Sequence, residues 1–425
     1  MKFLTIAVAV LLSVYNANLV AGLELPPKGT LPPSCGLTCI TELILSKTKC
    51  SLTDAKCICP NAQLNEDITV CVATSCSIRD QLATKKFSSD FCGVVPQDRT
   101  KLVSVVGVTF GALALITFGL RILSKCLRAG GQFGMDDYTI MVTMAITIPF
   151  CALSVLLANH GLGRDMWNVH PDDITSILYI YYWDELMYVA IVPLTKISII
   201  FLYLRIFREK NFLYFAYALI AANVAYLLAF EAISIFQCWP IEGAWRAWDG
   251  TFPAKCRNVN LQGWMSATFS IILDVLTLIL PLPSLYQLEM SMKKRIQIMM
   301  MFSVGIFVTI VSVVRLRTFT KYANTTNLTQ DYVELGYWST IEVPVGVICA
   351  CMPSIRALFR NVFPNIFGTT QKGQSSSGRL STTLTPQSKS KSEYANISKH
   401  GASSSVIGLV PLDNPQESER YKNSA

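Results

Sequence analysis

Eight cysteines fall between residues 35 and 92 of this 425-residue chain: Cys35, Cys39, Cys50, Cys57, Cys59, Cys71, Cys76 and Cys92. At their centre, SLTDAKCICP (51–60) sets Cys57 and Cys59 one residue apart, with Asp54 just ahead. Thiols at that spacing suit a metal clip, a redox pair or a disulfide framework. Zinc is the weaker reading, because the stretch 23–96 holds no His and an oxidising compartment removes thiolates. An even set of cysteines behind a leader is the pattern of a disulfide framework. The aromatics of this stretch are Phe87 and Phe91 alone, so it buries little apolar surface and needs covalent staples. Spacing does not choose among the many pairings.

A second set of chemically capable residues lies inside long apolar runs, where charges are expensive and usually functional. These are Asp184, Glu185, Lys196, Glu231, Asp274 and Glu342. Asp184, Glu185, Glu231 and Glu342 fall near one level and suit a polar cavity for a cationic or hydrogen-bonding ligand. The plainer reading is that each pairs within the bundle. Lys196 lies twelve residues after Asp184, about 18 Å along a helix, and is better placed to pair with Asp274. No GxSxG, HExxH or P-loop pattern occurs, and His160, His170 and His400 are scattered, so an enzyme is not expected.

The elements that must hold these residues are legible in the apolar runs. The chain is 52% hydrophobic and 15% charged, against roughly 25% charged in soluble domains, which marks a membrane protein. Seven runs, about 103–123, 138–157, 177–204, 212–236, 263–285, 296–314 and 337–355, each approach the ~20 residues of a membrane-spanning helix. The net charge of +8 collects in short clusters at run ends, where topology explains it better than nucleic acid does. Residues 1–22, with Lys2 ahead of FLTIAVAVLLSV, read as a secretory leader cleaved near Ala21 or Gly22; Asn16 and Asn18 interrupt the run before it can span. From residue 363 the chain turns Ser/Thr-rich and reads as a disordered cytoplasmic tail, 363–425.

With the cysteine domain outside, the loops holding Arg121, Lys125 and Arg128, then Arg205, Arg208 and Lys210, then Lys293, Lys294 and Arg295 lie inside. The outer loops keep Arg246, Lys255, Arg257, Arg315, Arg317 and Lys321, so the positive-inside bias is modest. The sequons at Asn324 and Asn327 then face outward as glycosylation sites. Cys238 and Cys256 share an outer loop and are expected to pair. Cys126, Cys151, Cys349 and Cys351 read as free thiols.

The eight-cysteine spacing, with PSCGLTC at its start and TDAKCIC at its centre, resembles the fungal CFEM domain over residues 23–96. That resemblance implies a small helical basket, and in some members a haem held with the aspartate of the TD motif, here Asp54, on the iron. Leu37, Ile40, Leu43, Ile44 and Ile58 would then cover the porphyrin. An aspartate at this place also serves as a helix cap. Residues 97–362 resemble the fungal seven-helix, receptor-like "rhodopsin domain" proteins. The likeness rests on GMDDYTI, LTKISIIFLYLRIF, LPLPSLYQLEMSMKKR and CACMPSIRALFR, in that order.

Residues 337–355 contain no lysine for a retinal Schiff base, so light sensing is not expected. The expectation is an all-α membrane protein of the plasma membrane: a disulfide-rich outer domain on a seven-helix bundle in the lipid bilayer. It would sense an extracellular ligand or surface cue and report to a heterotrimeric G protein through Arg205, Lys293, Lys294 and Arg295. The alternative is haem or iron capture centred on Asp54.

Overall fold

The computed structural model describes residues 31–128, 131–287, 292–322 and 327–362. The expected leader, the expected tail and Asn324 lie outside the described residues.

Three helices form the cysteine domain: α1 (Ser34–Lys47), α2 (Ala62–Ser75) and α3 (Ile78–Phe91). Side chains start the second and third: Asn61 accepts from the Leu64 N–H and Ser77 from the Asp80 N–H, satisfying amides the first turn leaves open. Between α1 and α2, Asp54 caps a single turn, Ala55–Ile58. The buried apolar core is little more than Ile44, Ile58 and Leu64. Disulfides supply what that core lacks. Cys35–Cys76 and Cys39–Cys71 rivet α1 antiparallel to α2, Cys50–Cys57 closes the short connection, and Cys59–Cys92 ties it to the end of α3. Gly36 lets α1 approach α3, since a Cβ there would collide with the Thr84 side chain.

The bundle follows: α4 (Thr100–Cys126), α5 (Met135–Asn159), α6 (Pro171–Ile206), α7 (Lys210–Ile235), α8 (Val259–Ile279), α9 (Met292–Tyr322) and α10 (Leu328–Val362). Neighbours in sequence pack side by side, α10 closes the ring against α4, and α6 also meets α10 across the centre. Among the described residues six of these helices are long and apolar enough to cross a membrane, and the remaining run, the sixth, 296–314, lies on α9. Leu113, Ile116, Leu228, Phe269 and Ile310 are exposed on the bundle surface, as a lipid solvent requires. The molecule is therefore an all-α, multi-pass membrane protein with a disulfide-rich helical domain at one end.

Two helices correct the expected boundaries. The sixth run was expected to end at Val314 and the seventh to start at Tyr337, but α9 continues to Tyr322 and α10 begins at Leu328. Arg315, expected in a loop, is thus inside the bundle and 4% exposed. Arg121 and Lys125 are likewise buried within α4 rather than looped into solvent. In both places carboxylates from neighbouring helices meet the charge, which an apolar-run reading does not register.

Between α7 and α8, β1 (Cys238–Trp239) pairs antiparallel with β2 (Lys255–Cys256), and the Cys238–Cys256 disulfide locks the register. The intervening loop, with turns at Gly243–Arg246 and Ala247–Asp249, folds back over α6. At the same end, Gly163 has a φ of 106° and joins three segments: it accepts from the Arg99 N–H and donates to the Thr329 carbonyl. A side chain there would strike the Thr100 backbone at 2.8 Å.

Candidate functional site

Helix α6 runs 36 residues, about 54 Å, well beyond the ~30 Å hydrocarbon core of a bilayer. Its extra turns, started by His170 and Pro171, wall a cavity of about 310 Å³ at the cysteine-domain end. Met166, Ile177, Tyr181, Tyr182, Trp248 and Tyr332 line it, and the disulfide-closed loop roofs it. The roof is fixed to α6, because Trp248 donates to the Thr175 hydroxyl at 3.0 Å and Trp245 packs edge-on to Tyr179 at 5.1 Å.

The cysteine domain grips this roof. The Arg79 guanidinium lies 2.8 Å from the Asp249 carboxylate and 5.8 Å over the Trp248 ring. Burial opposes ionisation of Asp249, but the Thr251 hydroxyl and N–H, with Arg79, outweigh it and hold the carboxyl below the usual carboxylate range. Lys85 sits 5.6 Å over Trp167, next in sequence to the lining residue Met166.

Tyr181, Glu185, Val259 and Tyr332 border both this vestibule and a smaller polar chamber of about 60 Å³ beneath it. Asp184, Glu185, Gln262, Arg315 and Ser339 face the chamber. Gln262 donates to Ser234 at 3.0 Å and to Glu185 at 3.3 Å.

The expected acid-lined cavity therefore divides. Asp184 and Glu185 belong to the chamber, whereas Glu231 is half-buried on α7 and lines neither space. Glu342 lies deeper. It sits 3.2 Å from the Arg315 guanidinium, accepts from Tyr188 at 2.9 Å, and accepts from the Ser312 hydroxyl. Arg315 also stacks over the Tyr188 ring at 4.5 Å. Asp274, 3.4 Å from Ser312, continues the chain to Lys196 at 3.1 Å, and Lys196 donates to the Ser270 carbonyl and hydroxyl. Four helices, α6, α8, α9 and α10, thus meet through one buried chain of opposite charges. Such burial is tolerable because each ion faces a partner and further hydrogen bonds.

A second ionic knot lies at the far end. Arg121 reaches Asp136 at 2.6 Å and Asp137 at 2.8 Å and donates to the Ala350 carbonyl. Lys125 lies 2.8 Å from Asp137, and Ser198 of α6 donates to the Asp136 carbonyl. Arg205, half-exposed, lies 3.6 Å from Asp136 and donates to the Gln132 carbonyl at 2.7 Å. Reading the sequence missed this knot; its signal was the acid pair of GMDDYTI one loop after Arg121 and Lys125. Lys293, Lys294 and Arg295 open α9, and their side chains lie outside the described residues.

Asp54 is exposed, and one of its oxygens accepts from the Lys56 and Cys57 N–H groups as a cap. Its other oxygen is the hard donor that ferric iron prefers. The expected porphyrin cover fits less well: Ile44 and Ile58 are 1% and 5% exposed and form the domain's own core, leaving Leu37 exposed and Ile40 and Leu43 half-buried. Asn327 is committed to structure, accepting from the Met166 N–H and donating to Asp165, both at 2.9 Å. Among the described residues no cluster of His, Cys, Asp and Glu is arranged to hold a metal ion.

Comparison with known proteins places these features. Residues 120–361 match the fungal rhodopsin domain and residues 29–93 the CFEM domain. A SAT4 family membrane protein of Emericella nidulans is 29% identical over half of this chain, and the match spans 54% of that relative's own length. Receptor GIN3 of Arthrobotrys oligospora is 26% identical over 70% of this chain and 72% of its own. A GPI-anchored hemophore of Arthroderma benhamiae is 34% identical over 22% of this chain and 44% of its own. No solved structure matches.

Proposed function

This chain belongs to the fungal rhodopsin domain family and carries a CFEM domain, and from that premise we propose that it is a cell-surface receptor. The CFEM domain faces outward, the vestibule takes an extracellular ligand, and the far end reports to a heterotrimeric G protein. No catalytic step is assigned to it. The observation that carries this reading is the course of α6. One helix bears Glu185 at the chamber, Lys196 in the buried ion chain and Arg205 at the far knot. These steps are about 17 Å and about 14 Å along the axis. Pro193, between the first two, lacks the N–H that would close onto the carbonyl four residues back, which loosens the helix there. A ligand shifts such a bundle only by binding its two arrangements unequally, and contacts to α6 are a means of doing so. The receptor relative, matched over most of its length, supports the reading.

The test is nucleotide exchange on co-expressed G protein in fungal membranes. Arg205→Ala, and separately Lys293→Ala with Lys294→Ala and Arg295→Ala, should abolish exchange while surface levels stay at wild type. Full exchange by both variants would refute the receptor reading.

The second reading is haem capture by the CFEM domain. The exposed Asp54 and the hemophore relative favour it. When bound, haem would bring its ferric iron to a carboxylate oxygen of Asp54. A Soret shift with the full chain in detergent, lost in Asp54→Ala, is the expected sign; no shift with the wild type would remove this reading.

A further inference from the structure

We infer that the polar chamber anchors a small organic cation with an apolar body, of the arylalkylamine class. The inference rests on the receptor reading in that it treats the vestibule and chamber as one ligand site.

Charge is the first argument. Asp184, Glu185 and Glu231 have no cationic partner among the described residues, while the guanidinium that borders the chamber, Arg315, faces Glu342 and the Tyr188 ring. Buried carboxylates without a counter-ion are costly, and a bound cation offsets that cost.

Hydrogen bonding is the second and is independent of charge. Gln262 is 8% exposed, and its amide N–H₂ is held by Ser234 and Glu185. Its carbonyl oxygen borders the chamber and accepts no hydrogen bond from the described residues; nor does Oδ1 of Asp184. Two buried acceptors, placed with the Glu185 carboxylate, call for a group with several N–H donors and no acceptor. An ammonium supplies three.

Shape is the third. Above the chamber the vestibule, about 310 Å³, is walled by Tyr181, Tyr182, Trp248 and Tyr332. That volume is at the low end of the ~300–1,000 Å³ range of ligand pockets. Ring faces attract cations and pack against apolar groups, so the walls accept the body of such a ligand and tolerate its head in transit. A carboxylate would meet like charge, and an alcohol would satisfy the acceptors only in part.

The experiment uses the full chain in lipid nanodiscs and three probes of one shape: 4-phenylbutylamine, 4-phenylbutanol and 4-phenylbutyrate. Binding is read by thermal unfolding and calorimetry. The amine should bind at least tenfold more tightly than the alcohol, and the acid should not bind. The isosteric variants Asp184→Asn and Glu185→Gln, alone and together, should erase that preference. Equal binding of the alcohol, binding of the acid, an amine preference that survives in the double variant, or no binding of any probe would overturn the proposal. These readouts involve no G protein, so they fail or succeed separately from the Arg205→Ala exchange assay.

Discussion

Lys196 of α6 and Asp274 of α8 form a contact of 3.1 Å in the middle of the bundle, each buried and each further hydrogen-bonded to serine. Removing either partner strands the other charge in a low-dielectric interior. Lys196→Met or Asp274→Leu alone should cost about 3–5 kcal/mol and deplete surface protein, whereas the double variant should recover much of the loss. Flow cytometry of a tagged chain, with unfolding temperatures in detergent, measures the coupling. Additive losses would disprove it.

Arg121 is held by two aspartates and a backbone carbonyl of α10. Lysine carries the same charge but cannot span those three acceptors in one plane. Arg121→Lys should therefore destabilise by about 2–4 kcal/mol, close to the effect of Arg121→Ala. Unfolding midpoints compare the two; a near-wild-type lysine variant would show that charge alone suffices.

The Arg79–Asp249 clamp should respond to acid in one direction only. Asp249 titrates below its unfolded value, so the clamp is fully present above the ordinary carboxylate range and is lost as pH falls through the lowered one. Amide-exchange protection of residues 247–251 should be alike at pH 7 and pH 5 and decline only below about pH 4. Arg79→Glu should remove that protection at every pH with little change in global stability, since Arg79 is half-exposed.

Asn327 makes two hydrogen bonds that pin the start of α10 to the loop before α6. Asn327→Leu should cost about 1–3 kcal/mol of stability, read as a lower unfolding midpoint, without changing electrophoretic mobility. Any glycosidase-sensitive shift should instead vanish in Asn324→Gln. A glycosidase-sensitive shift lost in Asn327→Leu would reverse this assignment.

Much of this architecture was legible. The cysteine spacing marks the small domain, and seven apolar runs mark the bundle, because both signals are local and repeated. The displaced pieces share one cause. An apolar-run reading stops at the first charge, so α9 was cut before Arg315 and α10 was started at Tyr337. Depth counted from Tyr337 put Glu342 near the outer rim. Counted from Leu328, where the helix begins, Glu342 is fourteen residues in, level with the ion chain. Arg121, Asp136 and Asp137 were visible as residues but not as a knot, because their burial is a property of three helices at once.

The length of α6 has a mechanical corollary. A helix with side chains has a radius of about 5 Å, so turning it by about 20° about its own axis sweeps those side chains by nearly 2 Å. That is enough to part Lys196 from Asp274. From Lys196 to Arg205, beyond the Pro193 break, the same turn acts with equal amplitude, as cams on one shaft, whereas a tilt would shrink toward its pivot. Under the receptor reading proposed above, torsion of α6 beyond Pro193 is the motion that would join the buried ion chain to the far knot.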